Sequence, residues 1–414
     1  METLEIVEKK SIVNPPLSAT LEARLERDFV PRFFGTWGGR FAVQGAHPGP
    51  NSIRLDGNDY LSVTGHPEIV AAQVAALRGD ADYVVQSGVF LQDEHPTRKL
   101  ELMMADWVGK DDGFICQSGY AANVGLIQAV ADADTPVYLD SMAHASLWEG
   151  AHSARAPAHS FQHNDPKRLE RVIKKHGPGL VVVDAVYSTT GAVCPLEEML
   201  EVVEAHGCMI LVDESHSLGT HGPAGAGLCA QLGLTDRVHF ISASLAKAMA
   251  GRAGFFTAPA RLRHHILTSS FPNIFSSCVL PHEAIALQAT VKLLQNSDAE
   301  RERLRHITRR VRAGLEELGY PIHQGTEQII ALEAGPEADT IELRDELDRY
   351  GVHTAFFCAP ATSTNRSLAR MTLSASLTDA EVDHILKVMK EVAAVIKPWN
   401  WPAARRQRVT ALRD

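Results

Sequence analysis

Lys247 lies among small residues, Ser242-Ala243-Ser244-Leu245-Ala246-Lys247-Ala248-Met249-Ala250-Gly251, just past the apolar run Val238-His239-Phe240-Ile241. At the end of a buried strand a lysine loses part of the solvation that keeps it charged. Its pKa falls, and the amine becomes able to form a Schiff base. Taken alone, a lysine on a surface loop is the commoner case. Its neighbours change that reading. Asp213 closes the apolar run Met209-Ile210-Leu211-Val212. A carboxylate there is costly to bury unless paired, and a protonated ring nitrogen would pair it. The alternative is that it caps the following helix. His216 stands three residues on, close enough to reach the same ligand.

Three further polar clusters follow short apolar runs. Ser118-Gly119-Tyr120 opens an Ala-rich stretch after Cys116, and a helix starting there would offer free N–H groups to an anion. Asp140-Ser141-Met142-Ala143-His144 is the second cluster, and Asp184-Ala185-Val186-Tyr187-Ser188-Thr189-Thr190-Gly191 the third. Each is weak by itself, since a lone histidine or a Ser-Gly before a helix is common.

The elements that must position these groups are legible in outline. Leu180-Val181-Val182-Val183 and Met209 to Val212 read as buried strands, and Leu169 to His176 and Leu196 to His206 as helices. That alternation predicts an α/β fold around a mostly parallel sheet, with polar residues at the strand ends where such sheets carry sites. Beyond a charged helix spanning Asn296 to Arg312 the elements shorten. Ile329 to Leu332, Thr340 to Tyr350, Arg370 to Leu373 and Asp379 to Ile396 suggest a smaller α+β domain. The expected division is an arm over 1–60, a large α/β domain over 61–295, a small domain over 296–400 and a basic tail over 401–414. The tail carries Arg405, Arg406, Arg408 and Arg413 and reads as solvated.

With 414 residues, 45% of them hydrophobic and 22% charged, the chain excludes collagen-like, disordered and disulfide-scaffold classes. A formal net charge of −10 argues against a general nucleic-acid binder. The six cysteines show no metal or redox spacing, so reduced, buried thiols and no metal are expected. Met1 to Lys10 carries acids where a signal peptide would carry only bases, and no apolar run approaches a membrane span. A cytoplasmic protein without a membrane span is expected.

Taken in order, SGYAAN, DSMAHAS, FQHND, DAVYSTTG, VDESHSLGTHGPAGAG and SASLAKAMAG resemble the α-oxoamine synthases, pyridoxal-phosphate enzymes of the aspartate-aminotransferase fold (fold type I). Upstream, Asn58-Asp59-Tyr60-Leu61 with His66-Pro67 is similar to the family's first element, and Leu368 to Leu373 to its last. The likeness spans about residues 30 to 395. It implies that Lys247 bonds the cofactor and shuttles the α-proton. Asp213 would pair with the ring nitrogen, His216 would reach the phenolic oxygen, and His144 would stack on the ring. Ser118, Gly119, Tyr120 and Ser244 would hold the phosphate, with Ser188 lining the cofactor and Asn58 and Arg370 binding the amino acid's carboxylate. It also implies a homodimer with shared sites, in which Ser277 beside Ser276 reaches the partner's phosphate.

Two departures narrow the resemblance, one of them Ser244-Leu245-Ala246-Lys247-Ala248 in place of the family's usual T-[FL]-[GS]-K-[AG]. Where glycine- and alanine-using members carry a Gly/Ser-rich stretch, this chain has Val89-Phe90-Leu91 near Tyr83, Val84 and Val85. That apolar segment would be either a core strand or a wall of an acyl channel. With the block FISASLAKAMAGRAGFF, it is most similar to quorum-sensing α-hydroxyketone autoinducer synthases, which join a medium- or long-chain acyl-CoA to a small amino-acid substrate. The alternatives are a synthase of the 8-amino-7-oxononanoate or 2-amino-3-ketobutyrate type, an aminotransferase or aldolase on the same fold, and a non-catalytic partner subunit.

Overall fold

The computed structural model describes residues 14–79 and 84–411, with the side chains of 408–411 excepted. The acidic N-terminal decapeptide, Tyr83 and Arg413 therefore lie outside the described residues. The chain divides into two compact units, Met1–Gly45 and Ala46–Asp414. In the first, Ser18 caps the helix Ala19–Arg24 by accepting the Leu21 N–H at 3.3 Å. Aromatic residues then recur along the helical turns that follow. Phe29 stacks on Phe33 at 5.2 Å, and Arg32 lies 4.7 Å over the Trp37 ring.

Strands of the second unit, in chain order, are β1 (Ile53–Leu55), β2 (Gly113–Cys116), β3 (Val137–Asp140), β4 (Ala158–Phe161), β5 (Leu180–Asp184) and β6 (Met209–Asp213). They continue as β7 (Phe240–Ser244), β8 (Gly254–Thr257), β9 (Ile329–Gly335), β10 (Val352–Phe357) and β11 (Ser367–Thr372). Seven of them form one sheet in the order β2-β8-β7-β6-β5-β3-β4. Only β8 runs antiparallel to its neighbours. All residues of β5 are buried, as a strand covered by helices on both faces requires. The Ser-rich segment after Ile241, expected as loop, is the end of β7. It stays extended because Ser242 to Ser244 pair with Phe256 to Gly254 of β8.

The smaller sheet has the order β1-β10-β11-β9, with β1 parallel to β10. A segment N-terminal to the large domain thus completes the C-terminal sheet. The helix Asp379–Ile396 begins on a reciprocal cap between Thr378 and Glu381. Past it, Arg405 and Arg406 of the tail expected to be solvated are exposed, and the segment is helical. Pro402–Ala411 winds into a helix because Trp401 and Ala403 are buried. All six cysteines are free and buried, and no cluster of metal-binding side chains occurs among the described residues. No described helix is long and apolar enough to cross a membrane.

Register carries the site. Asp184 of β5 pairs with Asp213 of β6, which pairs with Ser242 of β7. Two glycines then let the turn at Ser118 close over β7 and β8. A Cβ on Gly119 would sit 2.5 Å from Ser244 Cβ, and one on Gly254 would sit 2.1 Å from the Ser118 carbonyl oxygen. Backbone gives way less readily than a side-chain tip. Gly254→Ala is therefore expected to destabilise the fold by about 1–3 kcal/mol through forced displacement of the Ser118 turn. A denaturant titration matching that of the parent chain would show that the turn moves freely.

Candidate active site

The C-terminal ends of β3, β5, β6 and β7 open into a cavity of about 810 Å³, closed on its other side by Asn58 and residues of β11. Ser118, Gly119, Tyr120, His144, Ser188, Asp213, His216, Ser244, Lys247, Asn58 and Arg370 all line it. Ser277 does not. It is exposed, bridges to Ser87, and offers its carbonyl to Gln117 Nε2.

Asp213 is 3% exposed, and no helix starts directly after β6 for it to cap. Its Oδ1 accepts the Ser215 N–H at 2.9 Å, and its Oδ2 accepts Asn123 Nδ2 at 2.7 Å. Asn123 Nδ2 also donates to Ser146 Oγ at 2.9 Å, and that hydroxyl lies 2.7 Å from His144 Nδ1. Because Asn123 is the donor to Ser146, the serine can give its proton to His144 Nδ1. That leaves the His144 proton on Nε2. Burial pushes the His144 pKa down, with Lys247 adding to the fall and Asp213 opposing it. Its main-chain N–H donates to Asp184 Oδ2 at 3.1 Å. Burial first, and the Asp213 charge second, hold the Asp184 carboxyl well above the usual carboxylate range.

His216 is positioned from the opposite side. Tyr60 Oη lies 2.6 Å from its Nδ1. Burial raises the Tyr60 phenol, so it keeps its proton. Burial, then the charges of Lys247, Arg370 and His144, pushes His216 well below the usual imidazole range. The shorter contact, 2.6 Å to Nδ1 against 3.4 Å to Asn58 Oδ1, favours the protonated phenol donating to Nδ1, which puts the His216 proton on Nε2. Lys247 follows β7 in the loop predicted for it. Burial is the main reason its amine pKa falls, Arg370 reinforces the fall, and Asp213 opposes it.

Arg370 is 5% exposed and makes no ion pair with any described acid, so it is no surface salt bridge. Nη1 donates to the Ser188 carbonyl at 2.9 Å, and Nη2 to Asn58 Oδ1 at 3.1 Å. Its Nε is buried without a partner, as is Asn123 Oδ1. A buried cation answered only by neutral acceptors suits an anionic ligand.

Several functional neighbours escaped the sequence reading. Asn123 and Tyr60 stood inside quoted motifs with no role assigned. Ser215, whose Oγ accepts the Ser244 N–H at 2.7 Å, stood in a third. Gln324, Glu333 and Arg366 line the cavity from outside every motif. The segment Val89-Phe90-Leu91 is no core strand, and it is not among the residues that line this cavity. Gly88–Phe90 forms a short turn, and Phe90 is 62% exposed.

The family model for class I and II aminotransferases matches residues 50–389. The chain is 40% identical over 376 residues to the CAI-1 autoinducer synthase of Vibrio campbellii, covering 91% of this chain and 95% of that one. It is 30% identical to the 8-amino-7-oxononanoate synthase of Anaeromyxobacter dehalogenans, covering 85% and 89%. Among solved structures it superposes on the serine palmitoyltransferase of S. paucimobilis bound to a pyridoxal phosphate–myriocin aldimine. There the TM-score is 0.81 at 25% identity, over 90% of this chain and all of that one.

Arg370→Met removes an unpaired buried charge while keeping volume. The ligand-free chain is expected to gain about 1 kcal/mol of stability, read from its denaturant midpoint. A lower midpoint would mean that the guanidinium serves the fold.

Proposed function

Because the chain belongs to the class I and II aminotransferase family, and within it to the α-oxoamine synthases, we propose that it is a pyridoxal-phosphate-dependent acyltransferase. In this reading it condenses a medium- or long-chain acyl-CoA with a small amino acid and releases carbon dioxide. The product is an α-aminoketone precursor of a quorum-sensing signal. The observation that carries the reading is the convergence of a half-buried amine of lowered pKa (Lys247), a buried carboxylate (Asp213) and an unpaired buried arginine (Arg370) on one cavity. Likeness to the Vibrio campbellii autoinducer synthase supports the signal role.

The residues fit the cofactor. Asp213 would face the ring nitrogen and His216 the phenolic oxygen through its Nε2–H, while His144 would cover the ring. Ser118, Gly119, Tyr120 and Ser244 would take the phosphate at the start of the helix Gly119–Val130, and any side chain on Gly119 would fill that cradle. When bound, the cofactor supplies an electron sink for charge developing at the amino acid's α-carbon. Arg370 and Asn58 hold the substrate carboxylate, with the guanidinium's planar fork setting its orientation. The Lys247 amine, its pKa lowered by burial, takes the α-proton. The bond formed is between the α-carbon and the acyl carbon. The bond broken is the thioester C–S bond, and the coenzyme leaves as its thiol. Loss of the carboxylate as carbon dioxide yields the aminoketone.

Homodimerisation with shared sites is part of this reading. Val84, Phe90, Phe271 and Phe275 expose apolar surface around Ser277. A patch of that kind on a soluble enzyme marks a contact surface. A second subunit there would bring its Ser277 towards a neighbouring phosphate site.

Two experiments test the proposal. Amino acids crossed with acyl-CoAs of rising length, read by thiol release, should show turnover that climbs with chain length, since each buried methylene adds about 0.8 kcal/mol. Borohydride should fix the cofactor's mass on Lys247. Protein that takes up no pyridoxal phosphate, or that prefers acetyl-CoA, would sink the assignment. For the shared site, mixing inactive Lys247→Ala and Ser277→Trp chains should recover activity. No recovery after proven subunit exchange would place Ser277 outside the partner's site.

A further inference from the structure

Arg366, Leu368 and Arg370 descend one wall of the cavity as alternate residues of β11 and its lead-in. They face the cavity together despite a register shift between Ser367 and Ala369. Four residues of extended chain separate the two arginines by about 13 Å. The inner one, Arg370, lies beside Lys247 and the proposed carboxylate site.

The outer arginine is held quite differently. Arg366 Nε and Nη2 donate to Glu333 Oε1 and Oε2, each at 2.9 Å. Glu333 is 2% exposed, so the fork is anchored in the interior. Its carboxylate also accepts Gln324 Nε2 at 2.8 Å and an Arg406 guanidinium N–H. One carboxylate thus faces two guanidiniums, and the corner keeps a net positive charge. Arg366 Nη1 takes part in neither bond to Glu333, and Arg366 lines the cavity. Electroneutrality of Glu333 needs only one of these cations. On a chain of net charge −10, a surplus cation at a cavity wall is a local attraction for an anion.

We propose that Arg366, set by Glu333, is a phosphate-recognition residue for the coenzyme A portion of the acyl donor. This rests on the acyltransferase reading above. A planar guanidinium edge suits a phosphate, and among the proposed substrates only the donor carries phosphate remote from its reacting carbon. Arg370 then orients the amino acid at the inner end. Arg366 fixes the donor at the outer end, and Leu368 packs between them. Arg406 acts through Glu333 as a positioning residue.

The test compares decanoyl-CoA with S-decanoyl-N-acetylcysteamine, which lacks phosphate. Arg366→Gln is expected to raise KM for decanoyl-CoA about tenfold or more, the scale of one lost charge-assisted contact, with kcat within about twofold. KM for the truncated thioester should equal that of the parent chain. Calorimetry with free coenzyme A should show the same weakening, independent of turnover. The paired Glu333→Gln, Arg366→Gln chain removes both charges, leaves no stranded carboxylate, and should behave like Arg366→Gln. Equal losses with both thioesters would overturn the proposal, as would a fall in kcat alone or unchanged coenzyme A binding. If the parent chain released thiol from neither donor, the acyltransferase reading itself would fall first.

Discussion

Everything in the site is arranged around one electrostatic problem, the in-register meeting of Asp184 and Asp213 at the ends of β5 and β6. Neighbouring strands stand less than 5 Å apart, so two buried carboxylates there cannot both stay charged cheaply. The structure separates their roles by their surroundings. Asp213 receives two hydrogen bonds and faces the Lys247 charge, while Asp184 receives the His144 N–H and is driven towards its protonated form. The chain Asp213–Asn123–Ser146–His144 follows from that division, since the donor that satisfies Asp213 also orients the serine that fixes His144. A single buried amide sets the tautomer of a ring that it does not touch.

The second half of the site belongs to the smaller sheet. Arg370 stands on β11, and Asn58 follows β1, the edge strand on the far side of β10. Neither sheet alone makes the cavity. Strand ends of the large sheet bring the amine, carboxylate and imidazoles. The small sheet brings the guanidiniums. The depressed amine of Lys247 is a product of both, since burial beside β7 lowers it first and the Arg370 charge lowers it further.

What was legible in the chain follows from distance along it. Lys247, Asp213 and His216 announce themselves because residue type and strand-end position are local properties, and β5 and β6 appear where their apolar runs stand. Tyr60 and Asn123 stayed silent because their partners lie 156 and 90 residues away. No local pattern encodes that a phenol will meet an imidazole. Val89-Phe90-Leu91 misled for another reason. Apolar composition reports a need for burial without saying whether the chain's own core or another surface supplies it. At the C-terminal end, the arginines signal solvation and Arg405 and Arg406 are exposed, while the helix that carries them rests on the buried Trp401 and Ala403.

The parallel pairing of β1 with β10 has a temporal meaning. Ser52 Oγ meets His353 Nε2 across 301 residues of intervening chain, and Ile53 pairs with Val352. A contact of that span is among the last a growing polypeptide can make. During synthesis the large sheet, whose strands end at Thr257, emerges while the small sheet's later strands are still absent. The nascent protein thus passes through an interval in which its lysine and carboxylates are assembled and the cavity arginine, Arg370, is not. Asn58, made early, waits for a partner made late. Closing that long loop completes the pocket, so Arg370 joins the other groups only after β10 and β11 have been made.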